Sequence, residues 1–197
     1  RKSKVSAWPL RMLDCCLVSD GGAAVVVSAG ETGRDRPKRV VELLGMGEGH
    51  THEHIFAAPS LVDFGCKESA ADALAQAGLK HRDVDCAHIY DCFTSTLLIT
   101  LESMGFYERG AAGPAALAGE FAIGGRFPVN TNGGLLSYGS SGAAGGMFHV
   151  VQAVLQLPGA CRPPQGKHPA GAPAHTPGGS LSGPCPTTTG PAVPAPP

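Results

Sequence analysis

Val84-Asp85-Cys86-Ala87-His88-Ile89-Tyr90-Asp91-Cys92-Phe93-Thr94-Ser95-Thr96-Leu97-Leu98 decides the fold of this chain, because two kinds of secondary structure meet within it. Residues 84–89 form a short, largely apolar run that suits a strand. Residues 91–104 then set Leu97, Leu98, Leu101 and Met104 on one side of a helix. The junction between them is Tyr90-Asp91-Cys92-Phe93. Where a strand runs into a helix, its last side chains stand at the carboxyl edge of a sheet. They lie beside the open N–H groups of the helix, which favour developing negative charge.

Upstream, Asp20-Gly21-Gly22 is a turn signal. Ala23-Ala24-Val25-Val26-Val27 behind it is small, β-branched and continuous, the pattern of a strand buried on both faces, as found in layered α/β folds. Residues 30–38 are charged and contain Pro37, which predicts a surface loop before a second strand at 40–44. Residues 45–60 hold three glycines, three histidines and a proline without periodicity and read as a long loop, usually a functional or mobile element. From 66 to 79, Ala70, Ala71, Leu74, Ala75 and Ala77 recur at helical spacing, and Gly78 closes the segment as a C-cap. Downstream, 110–125 is Gly/Ala-rich and loop-like, and Asn130-Thr131-Asn132-Gly133-Gly134 is a further turn cluster. Residues 142–157 have the small-then-apolar pattern of a helix packed closely on a sheet.

Composition narrows the function classes. A hydrophobic fraction of 43% over 197 residues supports a real core. With 15 basic and 16 acidic residues the net charge is −1, so no cationic field draws a phosphate backbone, and nucleic acid is not an expected partner. The apolar runs 23–29 and 97–101 fall far short of the roughly 18 to 20 residues a bilayer span needs, and membrane insertion is not expected. Asp14 interrupts the apolar patch behind the basic start and no small-residue cleavage site follows, so no signal peptide is read. Seven cysteines at irregular spacing, with Cys15 and Cys16 adjacent, suggest neither a disulfide framework nor a zinc knuckle and fit a reducing cytoplasm. His50, His52 and His54 around Glu53 share one face of an extended segment, yet no fourth ligand is evident and metal binding is not expected. The first residue is Arg and the opening segment reads like the middle of a fold, as in a fragment.

Beyond residue 157 the pattern changes. Twelve of the 17 prolines lie in 158–197, with no aromatic residue and only Arg162 and Lys167 charged. Such a segment buries too little apolar area to offset its chain entropy, which predicts a disordered tail.

Three motifs occur in order: Ser19-Asp20-Gly21-Gly22-Ala23-Ala24, then Tyr90-Asp91-Cys92-Phe93 opening a helix, then Pro128-Val129-Asn130 through Gly133-Gly134 and the glycine loop 139–146. In this order and at these separations, over residues 9–157, the chain resembles the thiolase superfamily. The likeness is greatest to the sterol carrier protein-type thiolases and the related bacterial lipid-transfer proteins. The resemblance implies the C-terminal half of an α/β thiolase-like layered fold, a mixed sheet with helices on both faces. It implies that 1–29 close an N-terminal domain, 30–157 form the C-terminal domain, and 158–197 are the tail. The absent half would supply the nucleophilic cysteine and much of the CoA contact. Gly178-Gly179-Ser180-Leu181-Ser182-Gly183 resembles the Gly-Gly-x-Leu-Ser of the family's last strands, in surroundings that do not match.

The resemblance also assigns residues. Cys92 matches the cysteine of the family's His-Asp-Cys-Phe motif, a general acid/base for the α-carbon, and a helix N-terminus is expected to lower its thiol pKa. The bland alternative is an ordinary buried cysteine, the reading kept for Cys15, Cys16, Cys66 and Cys86. Tyr90 replaces the usual His or Asn that holds the thioester oxygen. Its phenol can still donate there, and a tyrosine merely packed at a strand end is the alternative. Ser140, in Gly139-Ser140-Ser141-Gly142, stands where thiolases carry the histidine of Gly-His-Pro-x-Gly. Losing one oxyanion donor costs on the order of 2.7 to 4 kcal/mol, which weighs against ordinary Claisen chemistry. Asp91, Phe93, Asn130, Gly133, Gly134 and Gly139 complete the expected substrate contacts.

Three functions follow from these residues. The first is an acyl-CoA enzyme of thiolase type in lipid metabolism, an acyltransferase that needs no cofactor beyond the CoA of its substrate. The second is a retro-aldolase for steroid-CoA side chains, in which Tyr90 and Tyr138 serve and a small OB-fold protein is the partner. The third is a non-catalytic lipid-transfer or acyl-CoA-binding protein. The resemblance implies a homodimer for the family, and the chain by itself is expected to be inactive.

Overall fold

A computed structural model describes residues 3–30, 41–142 and 144–156, together with the backbone of two short strands at 172–175 and 187–190. The N-terminal hairpin pairs β1 (Val5–Ala7) with β2 (Leu10–Arg11) in antiparallel register, and one 3-10 turn follows at Met12–Asp14. Then come β3 (Gly45–Gly47), α1 (Cys66–Ala77), α2 (Thr94–Ser103), α3 (Ala112–Leu117), α4 (Gly134–Ser137) and α5 (Ala144–Gln156). β4 (Ala172–His175) and β5 (Thr187–Gly190) complete an antiparallel three-stranded sheet of order β3-β5-β4. Helices and sheet together make an α/β arrangement in which α1 packs on β3 and β5 while α5 packs on β4.

The approach of α1 to β3 is written in the sequence. Gly45 and Gly47 alternate along the strand and Gly49 continues the alternation just beyond it, and a Cβ added at each would collide with the carbonyl oxygens of Ala73, Ser69 and the N-cap Gly65 respectively. Those three positions are spaced by four residues along the helix, so bare strand backbone lies directly on one helical ridge. α1 buries Cys66, Ser69, Ala70, Ala73 and Leu74, and ends at Gly78, whose φ of 67° lets its N–H reach back to the last turn. The main core joins Leu74, Val84, Ala87, Ile89, Leu101, Met104, Phe127 and Val129. Each fully buried Leu or Ile in it contributes roughly 1.5–3 kcal/mol relative to exposure.

Several expectations change. The strand expected at 23–27 is absent: Val26 is 96% exposed and Val27 75%, and no described segment pairs with them. A strand draws both its hydrogen bonds and its burial from neighbours, so a continuous apolar run is not sufficient. The second strand begins at Gly45 rather than within 40–44, and the loop-like stretches 45–60 and 110–125 contain β3 and α3. The expected strand at 84–89 is extended, but its described pairing is brief. Ala87 donates to Pro128 O and accepts from Asn130 N–H, at 3.0 and 2.9 Å. Among the described residues parallel pairing appears only as isolated bridges, with all named strands antiparallel.

Two short strands are described within the tail. Thr187, Thr188 and Thr189 pair with Gly47, Met46 and Gly45, and β4 adds along the other side of β5. Composition measures burial capacity, but a β-branched triplet can gain its order from ladder hydrogen bonds to a sheet that already exists. Pro173 lies in β4, the outer strand, where a missing N–H costs no ladder bond. The Gly178 to Gly183 segment lies outside the described residues.

Candidate active site

The site is built at the end of the extended segment 84–89. Asn130, at a left-handed φ of 49°, turns its side-chain amide onto Ile89. Its Oδ1 accepts the Ile89 N–H at 2.7 Å and its Nδ2 donates to the Ile89 carbonyl at 2.8 Å. The side chain thereby does for Ile89 what a neighbouring strand would do. Both side-chain polar atoms of Asn130, an expected substrate contact, are hydrogen-bonded to Ile89.

Asp91 is next, only 2% exposed, and its Oδ1 accepts the Leu135 N–H at the start of α4 at 2.7 Å. Gly134 lies so close above it that an added Cβ would fall within contact of both carboxylate oxygens and of Asn130 Nδ2, and its φ of 61° is a conformation glycine adopts without penalty. On the other side His149 Nε2 stands 3.6 Å from Asp91 Oδ1, with both side chains almost wholly buried. Burial raises the Asp91 pKa, opposed by the hydrogen bonds from Leu135, Asn130 and Leu136.

Tyr90 and Cys92 flank this buried carboxylate and are each partly exposed. The Tyr90 ring meets His149 edge-on at 6.5 Å between centroids. Burial raises its pKa, and any ionisation of the neighbouring Cys92, Cys16 or Asp91 adds to the rise, which keeps the phenol protonated and able to donate at neutral pH. Cys92 Sγ shares a hydrogen bond with Thr96 Oγ1 at 3.6 Å. The expected lowering of its pKa is overturned: burial raises it, and the hydrogen bonds from Thr96 and the Phe93 N–H do not compensate. Phe93 caps α2 in an extended conformation, so the helix opens at Thr94, two residues beyond the thiol. The raised pKa favours the protonated form of the Cys92 thiol.

The glycine loop closes over the N-terminal segment. Ser140 is buried, its N–H donating to Leu17 O and its carbonyl accepting from Ser19 N–H, each at 3.0 Å. Gly139, at φ 149°, lies against the Ser19 hydroxyl. Gly133, at φ 104°, makes the turn into α4. The expected Tyr138 is placed on the surface, 66% exposed, with its ring edge-on to Phe148. The structure thus brings Tyr90, Asp91, Cys92, Asn130 and Gly134 together, threads Ser140 and Gly139 against residues 17–19, and sets Tyr138 and the exposed Phe93 at the outside.

Four groups escaped the sequence reading. His149 is one position in a helix read only as small-then-apolar. His88 is buried, its Nε2 bonded to Gln156 Oε1 at 2.8 Å, and burial pushes its pKa down to about 4. The Ser141 Oγ is buried with no hydrogen-bond partner among the described residues. Cys16 donates its N–H to the Cys92 carbonyl at 2.9 Å. In the histidine loop His50 bonds to Glu48 at 2.9 Å and the His52 ring meets Phe64, and no described cluster of three His, Cys, Asp or Glu side chains is disposed to hold a metal ion. No described helix is long and apolar enough to cross a membrane.

Known proteins resemble this chain in sequence and fold. The chain is 35% identical over 164 residues to the 17-hydroxy-3-oxo-4-pregnene-20-carboxyl-CoA lyase of Mycobacterium tuberculosis, covering 81% of this chain and 42% of that protein. It is 36% identical over 157 residues to a steroid side-chain-cleaving aldolase of Thermomonospora curvata, covering 76% and 40%. A solved Ltp2-ChsH2(DUF35) aldolase superposes with a TM-score of 0.84 at 30% identity, over 97% of this chain and 50% of that one. The chain thus spans about two fifths of the length of these curated relatives. Residues 47–187 match the family described as thiolase C-terminal domain-like. A match over most of the chain places the protein in the thiolase C-terminal domain-like family.

Proposed function

We propose that this chain is the thioester-handling half of an acyl-CoA enzyme that cleaves a carbon–carbon bond, by retro-aldol reaction on a hydroxylated steroid-CoA rather than by Claisen-type acyl transfer. The observation that carries the proposal is the Tyr90 phenol, held protonated beside the Cys92 thiol above the buried Asp91. In such a cleavage the hydroxyl proton leaves to an acceptor and the Cα–Cβ bond breaks. The electron pair then moves onto the thioester oxygen as an enolate. Tyr90 donates to that oxygen, and Cys92 delivers the proton that quenches the α-carbon. Tyr138, exposed beside the Gly139 loop, is the candidate for passing the hydroxyl proton to solvent. Ser140 in place of an oxyanion histidine, with its peptide tied to residues 17–19, leaves Claisen chemistry without its usual donor. Two relatives named as a lyase and an aldolase support the same choice.

A small OB-fold partner, a homodimer and a cytoplasmic location belong to this proposal, the first supported by the two-component aldolase that superposes on the chain. The test is to assay the full-length protein, with its partner, on a hydroxylated steroid-CoA and on acetoacetyl-CoA. Cleavage of the steroid thioester, falling on the order of a hundredfold in Tyr90→Phe, is the expected result. Thiolysis of acetoacetyl-CoA with the steroid thioester inert would overturn it, and tight acyl-CoA binding without turnover would mark a lipid-transfer role instead.

A further inference from the structure

Cys92 has a second thiol for a neighbour. We infer that Cys16 and Cys92 form a redox-sensitive pair that closes to a disulfide under hydroperoxide, a modification site at the mouth of the candidate active site. Cys15 and Phe93 face each other as an antiparallel bridge, which brings Cys16 opposite Cys92 in register. The Cys16 N–H donates to the Cys92 carbonyl at 2.9 Å across that pairing. Directly opposed residues of an antiparallel pair have Cα atoms about 4.5–5.5 Å apart and present their side chains to the same face. A disulfide spans Cα separations of roughly 4.4–6.8 Å.

Alternation separates the adjacent cysteines. Cys15 Sγ is directed to the Arg11 carbonyl at 3.5 Å, so Cys16 is the one facing Cys92. The two thiols also sense each other: charge on Cys16 raises the Cys92 pKa, and charge on either raises that of Tyr90. Both cysteines are reduced and partly exposed, open to a small oxidant.

The chemistry balances with one hydroperoxide. One thiolate attacks the O–O bond, forming S–O and releasing water or an alcohol. The second thiol then displaces hydroxide from the sulfenic sulfur, forming S–S and releasing water. Two thiols lose two electrons and the peroxide gains them. In the closed state Cys92 carries no proton, so the site is off until a dithiol reduces it. That effect on turnover rests on the role proposed for Cys92, whereas the linkage itself does not.

The test treats the reduced full-length protein with hydrogen peroxide and maps its peptides by mass spectrometry without reduction. The expected product is a Cys16–Cys92 linked peptide, restored to free thiols by dithiothreitol, retained in Cys15→Ser and lost in Cys16→Ser. Recovery of Cys92 as a free thiol or a sulfinic acid, or a dominant Cys15–Cys16 linkage, would overturn the inference. Should Cys16→Ser fail to fold, the wild-type map still decides. Because the readout is a mass and not a rate, it stands or falls apart from the choice of substrate.

Discussion

Gly134 and Gly78 make a matched pair for measuring what the buried Asp91 carboxylate demands of its surroundings. Their φ values are 61° and 67°, so replacement by alanine carries the same left-handed penalty, about 1–2 kcal/mol. Their neighbourhoods differ. Nothing lies within 4 Å of a Cβ built on Gly78, whereas one built on Gly134 meets Asp91 Oδ1 at 2.6 Å, Asn130 Nδ2 at 2.7 Å and Asp91 Oδ2 closer still. The carboxylate must then withdraw from the Leu135 N–H, giving up a charge-assisted hydrogen bond worth roughly 1.5–3 kcal/mol. Gly134→Ala is therefore expected to lose about 3–5 kcal/mol in urea unfolding, and Gly78→Ala about 1–2 kcal/mol. In an Asp91→Ala background the excess at Gly134 should shrink, since the double change removes the two carboxylate contacts and leaves only that with Asn130 Nδ2. Equal losses at the two glycines, or an excess undiminished without Asp91, would refute the close contact on which the site's geometry depends.

Acid provides a second handle. His88 stays neutral in the fold down to about pH 4, while an unfolded histidine takes its proton near 6.5. Its contribution is thus whole above 6.5 and is lost as pH falls towards 4, on the order of 3 kcal/mol across that window. Asp91, with its raised pKa, acts in the opposite sense, its charged form costing stability as pH rises through that value. The measurement is therefore the difference in urea midpoint between wild type and His88→Gln at pH 7 and 4.5, and parallel pH profiles would contradict the burial argument. Gly47→Ala, which drives a methyl into the Ser69 carbonyl, should cost about 1–3 kcal/mol, against less than about 0.5 kcal/mol for Gly22→Ala in open space; thermal melts compare them directly. Leu101→Ala, in a position with no exposure, should lose about 2–5 kcal/mol by circular dichroism in urea.

The helices were the most legible part of the chain. Ala70, Leu74 and Ala77 at helical spacing with Gly78 behind them define α1, because amphipathic period and C-cap are local properties. Tyr90-Asp91-Cys92-Phe93 as a junction was equally local. What failed was whatever depends on partners distant in sequence. The valines at 25–27 pattern as a buried strand, yet nothing described runs alongside them. Thr187–Gly190 pairs with a strand 140 residues earlier, a relation that proline content conceals. At the site the motifs located the backbone and missed the chemistry beneath it. His149 joins Asp91 from a separate helix, and the Cys92 pKa is set by burial, which no motif encodes. Cys16 had a signal available: it lies four residues before the Asp20-Gly21-Gly22 turn that the family motifs include.

Asn130 has a consequence for how this protein tolerates length changes. A sheet normally spreads the alignment of its members over many rungs, so that slippage by one position forfeits a whole ladder. Here the rung at Ile89 is clasped by a single amide from a turn, both of whose atoms are used. Deleting or inserting one residue between 87 and 92 would hand that clasp a different peptide and rotate the following phenol, carboxylate and thiol to the opposite side. Counting residues in that short interval, more than matching their identities, should tell which homologous chains keep the same cleft.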